Sequence, residues 1–238
     1  MRSPAPWRRR AIVAAVSLVA LLVGAVGVDR VAAARAESRT AEAFQNGMHT
    51  PQRPSVRVDG FPVLTQLARG SLRHVDITAH DIPASGTTRP LPVTELTVAL
   101  DGLKTSGNAD EAHATSVDAT AFLSYADMST ALGTTVSQGR TPGRVDVTVG
   151  LPLVGDVTVS TKVSAASGNR IAFTDLRVTQ GELIPPVKAL VTKALKEPVP
   201  LRNIPEGLRL QSITTTPSGI RAHFAGRAVT FRPSASAA

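Results

Sequence analysis

The chain contains no cysteine, which excludes disulfide staples, thiolate metal sites, a catalytic thiol and the acylated cysteine of a bacterial lipoprotein. Aromatic residues make up only 3% of its 238 positions. A core must therefore be assembled from Val, Leu, Ile and Ala, which bury less area each than Phe or Trp, and platforms for stacking nucleic-acid bases are scarce. The sequence also lacks a Gly-x-Ser-x-Gly elbow, a Ser-x-x-Lys pair, a His-Glu-x-x-His helix and a phosphate-binding glycine loop. No catalytic residue and no cofactor is assigned on these motifs.

Positive charge is present but unclustered. The formal net charge is +8, and half of that excess sits in Arg2, Arg8, Arg9 and Arg10; the remaining basic residues are scattered among acids. A nucleic-acid partner would call for a basic stripe with interleaved aromatics, so none is assigned.

Residues 11–28, AIVAAVSLVALLVGAVGV, carry no charge. Eighteen helical residues at 1.5 Å each just cross a hydrocarbon core, and the preceding arginines favour a cytoplasmic amino terminus. Two readings follow. The segment stays as a transmembrane anchor, which its length favours, or it is a signal peptide cut near Ala32-Ala33-Ala34 or Ala34-Arg35-Ala36. Both place the body outside the cytoplasmic membrane.

The body divides by composition. Residues 1–10 form a basic tail, 11–28 the apolar segment and 29–54 a helical stalk and linker, the helix running to about Phe44 before the breaker-rich NGMHTPQRP. A single domain spans 55–232, and 233–238 is a disordered tail. Period-two patterns predict strands at 56–59, 72–79, 91–100, 112–121, 144–151, 156–163, 171–178, 207–215, 219–225 and 227–232, with turns at Ser218-Gly219 and Ala225-Gly226. In the pair 144–151 and 156–163 the valines share a dry face, and Asp146, Thr148, Thr158, Ser160 and Lys162 a wet one. Ser124-Tyr125-Ala126-Asp127 reads as a capping box opening a short helix that stops at Gly133. After Pro185-Pro186, Val187, Leu190, Val191, Ala194 and Leu195 recur at i, i+3, i+4, i+7 and i+8, an amphipathic helix with an aliphatic stripe.

One stretch stands out, GFPVLTQLARG followed by a strand. Phe61-Pro62 turns the chain, Leu64 and Leu67 lie three apart as on one helical turn, and Gly70 suits a helix end. His74 and Asp76 share a strand face and His80-Asp81 follows, but a metal site needs three or four converging ligands. These are read as a solvent-facing strand edge, and no metal is assigned.

Gly60-Phe61-Pro62-x-Leu64-Thr65-Gln66-x-x-x-Gly70, Ser124-Tyr125-x-Asp127, Leu208-x-Leu210 and Gly219-Ile220 together make the chain resemble the DUF2993 family of actinobacterial cell-envelope proteins, which includes the LmeA-type lipid-binding proteins. The resemblance spans roughly 28–232. It implies an α+β fold in which a curved antiparallel β-sheet wraps one long amphipathic helix and leaves an apolar groove, with short helices and the N-terminal transmembrane helix besides. It implies a phospholipid or other acylated envelope lipid as partner, at the outer face of the cytoplasmic membrane. Candidate lipid contacts are then Phe61, Leu64, Leu67, Val187, Leu190, Val191, Ala194 and Leu195. Lys188, Lys193, Arg202 and Arg209 are candidates for an anionic headgroup, and Leu153 and Val154, in an unusually apolar hairpin tip, for membrane contact. Two other classes stay open: a protein-interaction module with a packed core, and an enzyme acting on lipids through dispersed residues.

Overall fold

A computed structural model describes residues 6–84, 91–105, 111–151, 155–181, 197–202 and 204–232, with the backbone alone for 6–22, 105 and 151. The described elements run α1 (Pro6–Met48), β1 (Ser55–Asp59), α2 (Val63–Ala68), β2 (Ser71–Ile82), β3 (Val93–Thr105), β4 (Ala112–Ser124), α3 (Tyr125–Leu132), β5 (Thr135–Gln138), β6 (Arg144–Leu151), β7 (Gly155–Ala166), β8 (Arg170–Gln180), β9 (Val199–Pro200), β10 (Glu206–Thr215) and β11 (Gly219–Phe231). They form an α+β fold of two antiparallel sheets, one curled as a half-barrel. The six-stranded sheet has the order β1-β2-β3-β4-β11-β10, the five-stranded one β5-β6-β7-β8-β9.

Register follows from alternation. Val75, Leu100 and Val117 lie side by side across β2, β3 and β4, then Ile77, Val98 and Ala119, then Ala79, Leu96 and Ala121. Intervening positions place His74 beside Asp101 and Ser116 on the opposite face. A one-residue slip would move every aliphatic side chain into water, so burial of one face fixes the pairing. The aliphatic face carries the main core, including Val58, Val63, Val75, Leu100, Val117 and Phe224. A second cluster gathers Tyr125, Met128, Val136, Val145 and Val163 where α3 meets the smaller sheet.

The second half of α1 packs on the domain. Ala33 and Ala41 are buried, small enough to let the helix lie close to the sheet. Glu37 Oε1 accepts from Val58 N–H at 2.9 Å and Arg53 pairs with Glu42 at 3.0 Å, so α1 covers part of the open edge at β1, where an unpaired strand would otherwise invite another chain. The helix ends at Met48, four residues beyond the expected Phe44. Among the described residues no helix is long and apolar enough to cross a membrane, so the expected transmembrane helix is not found there. The expected amphipathic helix over 187–195 lies outside the described residues; the long described helix is α1.

Two further expectations are corrected, and one strand has no counterpart among them. Ala225-Gly226 is no turn: β11 runs unbroken from Gly219 to Phe231, with a bulge against β10 beside Ala228 at φ 50°. A Cβ on Gly226 would sit 2.3 Å from the Gly207 carbonyl oxygen, so the glycine serves close strand approach, not reversal. The wet face of β7 is dry at Thr158 and Ser160, which are buried. Arg144 lies over it, donating to Ser160 Oγ at 3.0 Å and to Asp175 at 2.7 Å, and so clamps β6 across β7 to β8. Finally β5, only four residues, was not predicted; its partner register with β6, not its own pattern, makes it a strand.

The sheets are stitched together by Asn169, at φ 54° in the β7–β8 turn, a conformation asparagine tolerates better than most residues. Its side-chain amide donates to Leu208 O at 3.0 Å and accepts from Leu210 N at 2.7 Å. Asn169→Ala leaves two part-buried backbone groups of β10 without these partners, at an expected cost of about 1–3 kcal/mol. Denaturant unfolding reads this directly; an unmoved midpoint would mean the seam is held by apolar packing alone.

Candidate lipid-binding surfaces

The interior is continuous between the sheets. Ile171 and Ile213 pack against both buried clusters; Val98 packs on the first, Leu123, Val147 and Phe173 on the second, all half-buried, and half-buried Leu96 shares the inward face of β3. These side chains come from β3, β4, β6 and β8, placed by alternation on the inward faces of both sheets. None is charged. Together they make an uncharged apolar band along the two buried clusters, the candidate trough for hydrocarbon, and its half-buried members retain accessible apolar surface of the kind that lines apolar ligand sites. The Tyr125 hydroxyl is buried at the second cluster; burial foremost, and the nearby Asp146 charge second, push that phenol up from its ordinary pKa.

α3 contributes Tyr125 and Met128 to the second cluster. Ser124 Oγ accepts from Asp127 N at 3.0 Å, and Gly133 closes the helix, as the capping box predicts. Thr94 Oγ1 donates to Asp127 Oδ2 at 2.5 Å, tying the helix to β3; that bond, with the Ser124 one, holds the Asp127 carboxyl below its usual range.

At the seam, a cleft of about 680 Å³ lies between the β7–β8 turn and β10, bounded by Ala165, Asn169, Ile204 and Arg209 among others. Arg209 also borders a shallower cleft of about 790 Å³ on the outer sheet face, together with Asp101, Asp118, His223 and Arg227.

The outer face is polar and extensively paired. His74 sits 2.6 Å from Asp101 through Nδ1 and 3.2 Å from Asp76 through Nε2, and Ser116 donates to Asp101 at 2.9 Å. The Asp101 hydrogen bond chiefly, with the neighbouring carboxylate charges, raises the imidazole pKa against the opposing effect of burial, and the same bond lowers that of Asp101. β2 is an internal strand, not the edge the sequence suggested. Asp59, His74 and Asp76 bring one ligand atom each within 4.8 Å of one another, but both ring nitrogens are already engaged by carboxylates, so the cluster is accounted for as a cross-strand hydrogen-bond ladder.

The Gly-Phe-Pro stretch behaves differently from the expected groove wall. Phe61, Leu64 and Leu67 are 54%, 41% and 40% exposed, while Val63 and Gln66 turn inward. Both pairs are spaced i, i+3, so spacing could not say which faces the core. Two hydrogen bonds hold this arrangement: Asp29 Oδ1, from α1, accepts from Leu64 N at 2.8 Å, and the inward Gln66 Oε1 from Arg73 N at 2.8 Å. Gly60, at φ 102°, is required there, since a Cβ would meet the Gln66 amide at 2.8 Å. Arg202 and Arg209 are exposed. Val187, Lys188, Leu190, Val191, Lys193, Ala194 and Leu195, and likewise Leu153 and Val154, lie outside the described residues.

A family model described as LmeA-like phospholipid-binding matches residues 27–225. No curated protein and no solved structure matches the chain significantly.

Proposed function

Because the chain belongs to the LmeA-like phospholipid-binding family, we propose that it holds the acyl chains of a phospholipid in the aliphatic trough between its two sheets, on the outer side of the cytoplasmic membrane. The observation that carries this reading is the uncharged row of half-buried side chains running from Leu96 and Val98 to Phe173 and Val147. The driving force is desolvation. Each buried methylene contributes about 0.8 kcal/mol, so half an acyl chain offsets the cost of association with no reactive group involved.

The finer assignments extend this proposal. Val187, Leu190, Val191, Ala194 and Leu195 supply further apolar contacts to the acyl chains, Lys188, Lys193 and Arg202 meet an anionic headgroup, and the apolar segment 11–28 directs the chain to the membrane and keeps it there. Support for the last point is its lack of charge over eighteen residues behind an arginine cluster.

Purification of a chain starting at residue 23, which keeps Asp29, Ala33 and Ala41, followed by organic extraction and mass spectrometry, tests the central point. About one phospholipid per folded chain is the expected result. A folded, lipid-free protein that takes up none from vesicles would instead favour a packed interaction module.

A further inference from the structure

Seven of the ten large apolar side chains exposed among the described residues fall in two short segments, 23–31 and 61–67. Those segments are joined. The Asp29 carboxylate, itself buried, accepts from Leu64 N at 2.8 Å, which pins the turn of α1 carrying Val28 and Val31 against α2. On the other side of Asp29, residues 23–28 of α1 are exposed throughout. The helix therefore leaves the domain at α2, and the chain preceding it is the uncharged run 11–28. Around this end Arg30, Arg69 and Arg73 are exposed, and among the described residues none of them forms a carboxylate ion pair; Asp59 is an exposed acid nearby.

We infer that Phe61, Leu64 and Leu67, with the adjoining turn of α1, form a foot that docks on a membrane surface bearing anionic lipids. The inference rests on the phospholipid-binding reading above and adds where the domain meets its lipid supply. Two observations choose a bilayer over a protein partner. The apolar patch is continuous along α1 with a segment of membrane-compatible composition, so a bilayer holding that segment lies level with α2. The rim is cationic, and arginines at this depth gain from negative headgroups. A foot of two or three apolar side chains binds weakly by itself; it orients a domain already held nearby.

The absence of cysteine makes the test direct. Leu64→Cys and Leu67→Cys, each carrying an environment-sensitive fluorophore, are reconstituted as full chains into vesicles of phosphatidylcholine with phosphatidylglycerol, some containing lipid-borne quenchers. Leu132→Cys, equally apolar and exposed on α3, is the control. The foot labels should shift to apolar emission and be quenched by lipid at least about twofold more than in pure phosphatidylcholine, while the control stays aqueous. Arg69→Glu with Arg73→Glu should abolish the difference between the two vesicle types. Foot labels that remain aqueous overturn the inference, as do labels shielded equally without vesicles, which would point to a second copy of the chain. Lipid extraction from the same samples separates the two ideas: bound phospholipid with an aqueous foot sinks the docking surface alone, and a membrane-embedded foot on a lipid-free domain sinks the trough alone.

Discussion

An arginine at position 96 leaves the protein folded and strips it of lipid. Leu96 sits on β3 between Ala79 and Ala121, half-buried on the inward face, so a long side chain has room to carry its guanidinium toward solvent. The fold survives for that reason. The trough does not, because a charge along its wall cannot be covered by hydrocarbon without losing its hydration. Displacing some four methylenes from contact, at about 0.8 kcal/mol each, corresponds to roughly a hundredfold or greater loss of affinity. Extraction and mass spectrometry beside circular dichroism check both halves of the expectation. Leu190→Arg, in the aliphatic stripe outside the described residues, should act the same way. If Leu96→Arg protein is folded and fully loaded, the acyl chains lie elsewhere.

Phe224→Ala has the largest effect on stability, an expected loss of about 3–5 kcal/mol. Phe224 is 9% exposed, flanked on β11 and its neighbours by Ala222, Ala119 and Leu210. Alanines cannot extend into the space a phenyl ring vacates, so the cavity persists and the full penalty applies. With six Phe, one Tyr and one Trp in the whole chain, few rings contribute, and the loss is a large part of a typical domain's net stability of about 5–15 kcal/mol. Denaturant unfolding of the variant decides it. A midpoint within error of the parent would mean that the inner face is loosely packed at this position too, not only along the trough.

Much of the fold was legible because strands with one buried face advertise their register. The alternation in 72–79, 144–151 and 156–163 predicted β2, β6 and β7, and the Ser124 capping box predicted α3. Where these expectations failed, the cause was a partner distant in sequence. Ser160 is polar by type and buried by position, because Arg144 lies over it, and Thr158 is buried where its hydroxyl pairs with Thr148 across the strands. Gly226 resembles a turn residue and instead allows β10 to approach β11. β5 has too little pattern to be seen at all.

For the candidate site the division is sharper. The family resemblance implied lipid contacts on the Gly-Phe-Pro stretch, but two equally spaced pairs, Leu64 with Leu67 and Val63 with Gln66, competed for the inward side. The structure turns Val63 and Gln66 inward, with α2 held against α1 by Asp29, more than thirty residues earlier in the chain.

Local pattern thus determined which residues alternate, where helices begin and that no reactive thiol or assembled catalytic motif is present, since each depends on neighbours a few positions apart. Only the tertiary structure decided which apolar side chains line the interior and which face outward, because burial is set by contacts between segments whose order along the chain carries no record of their separation in space.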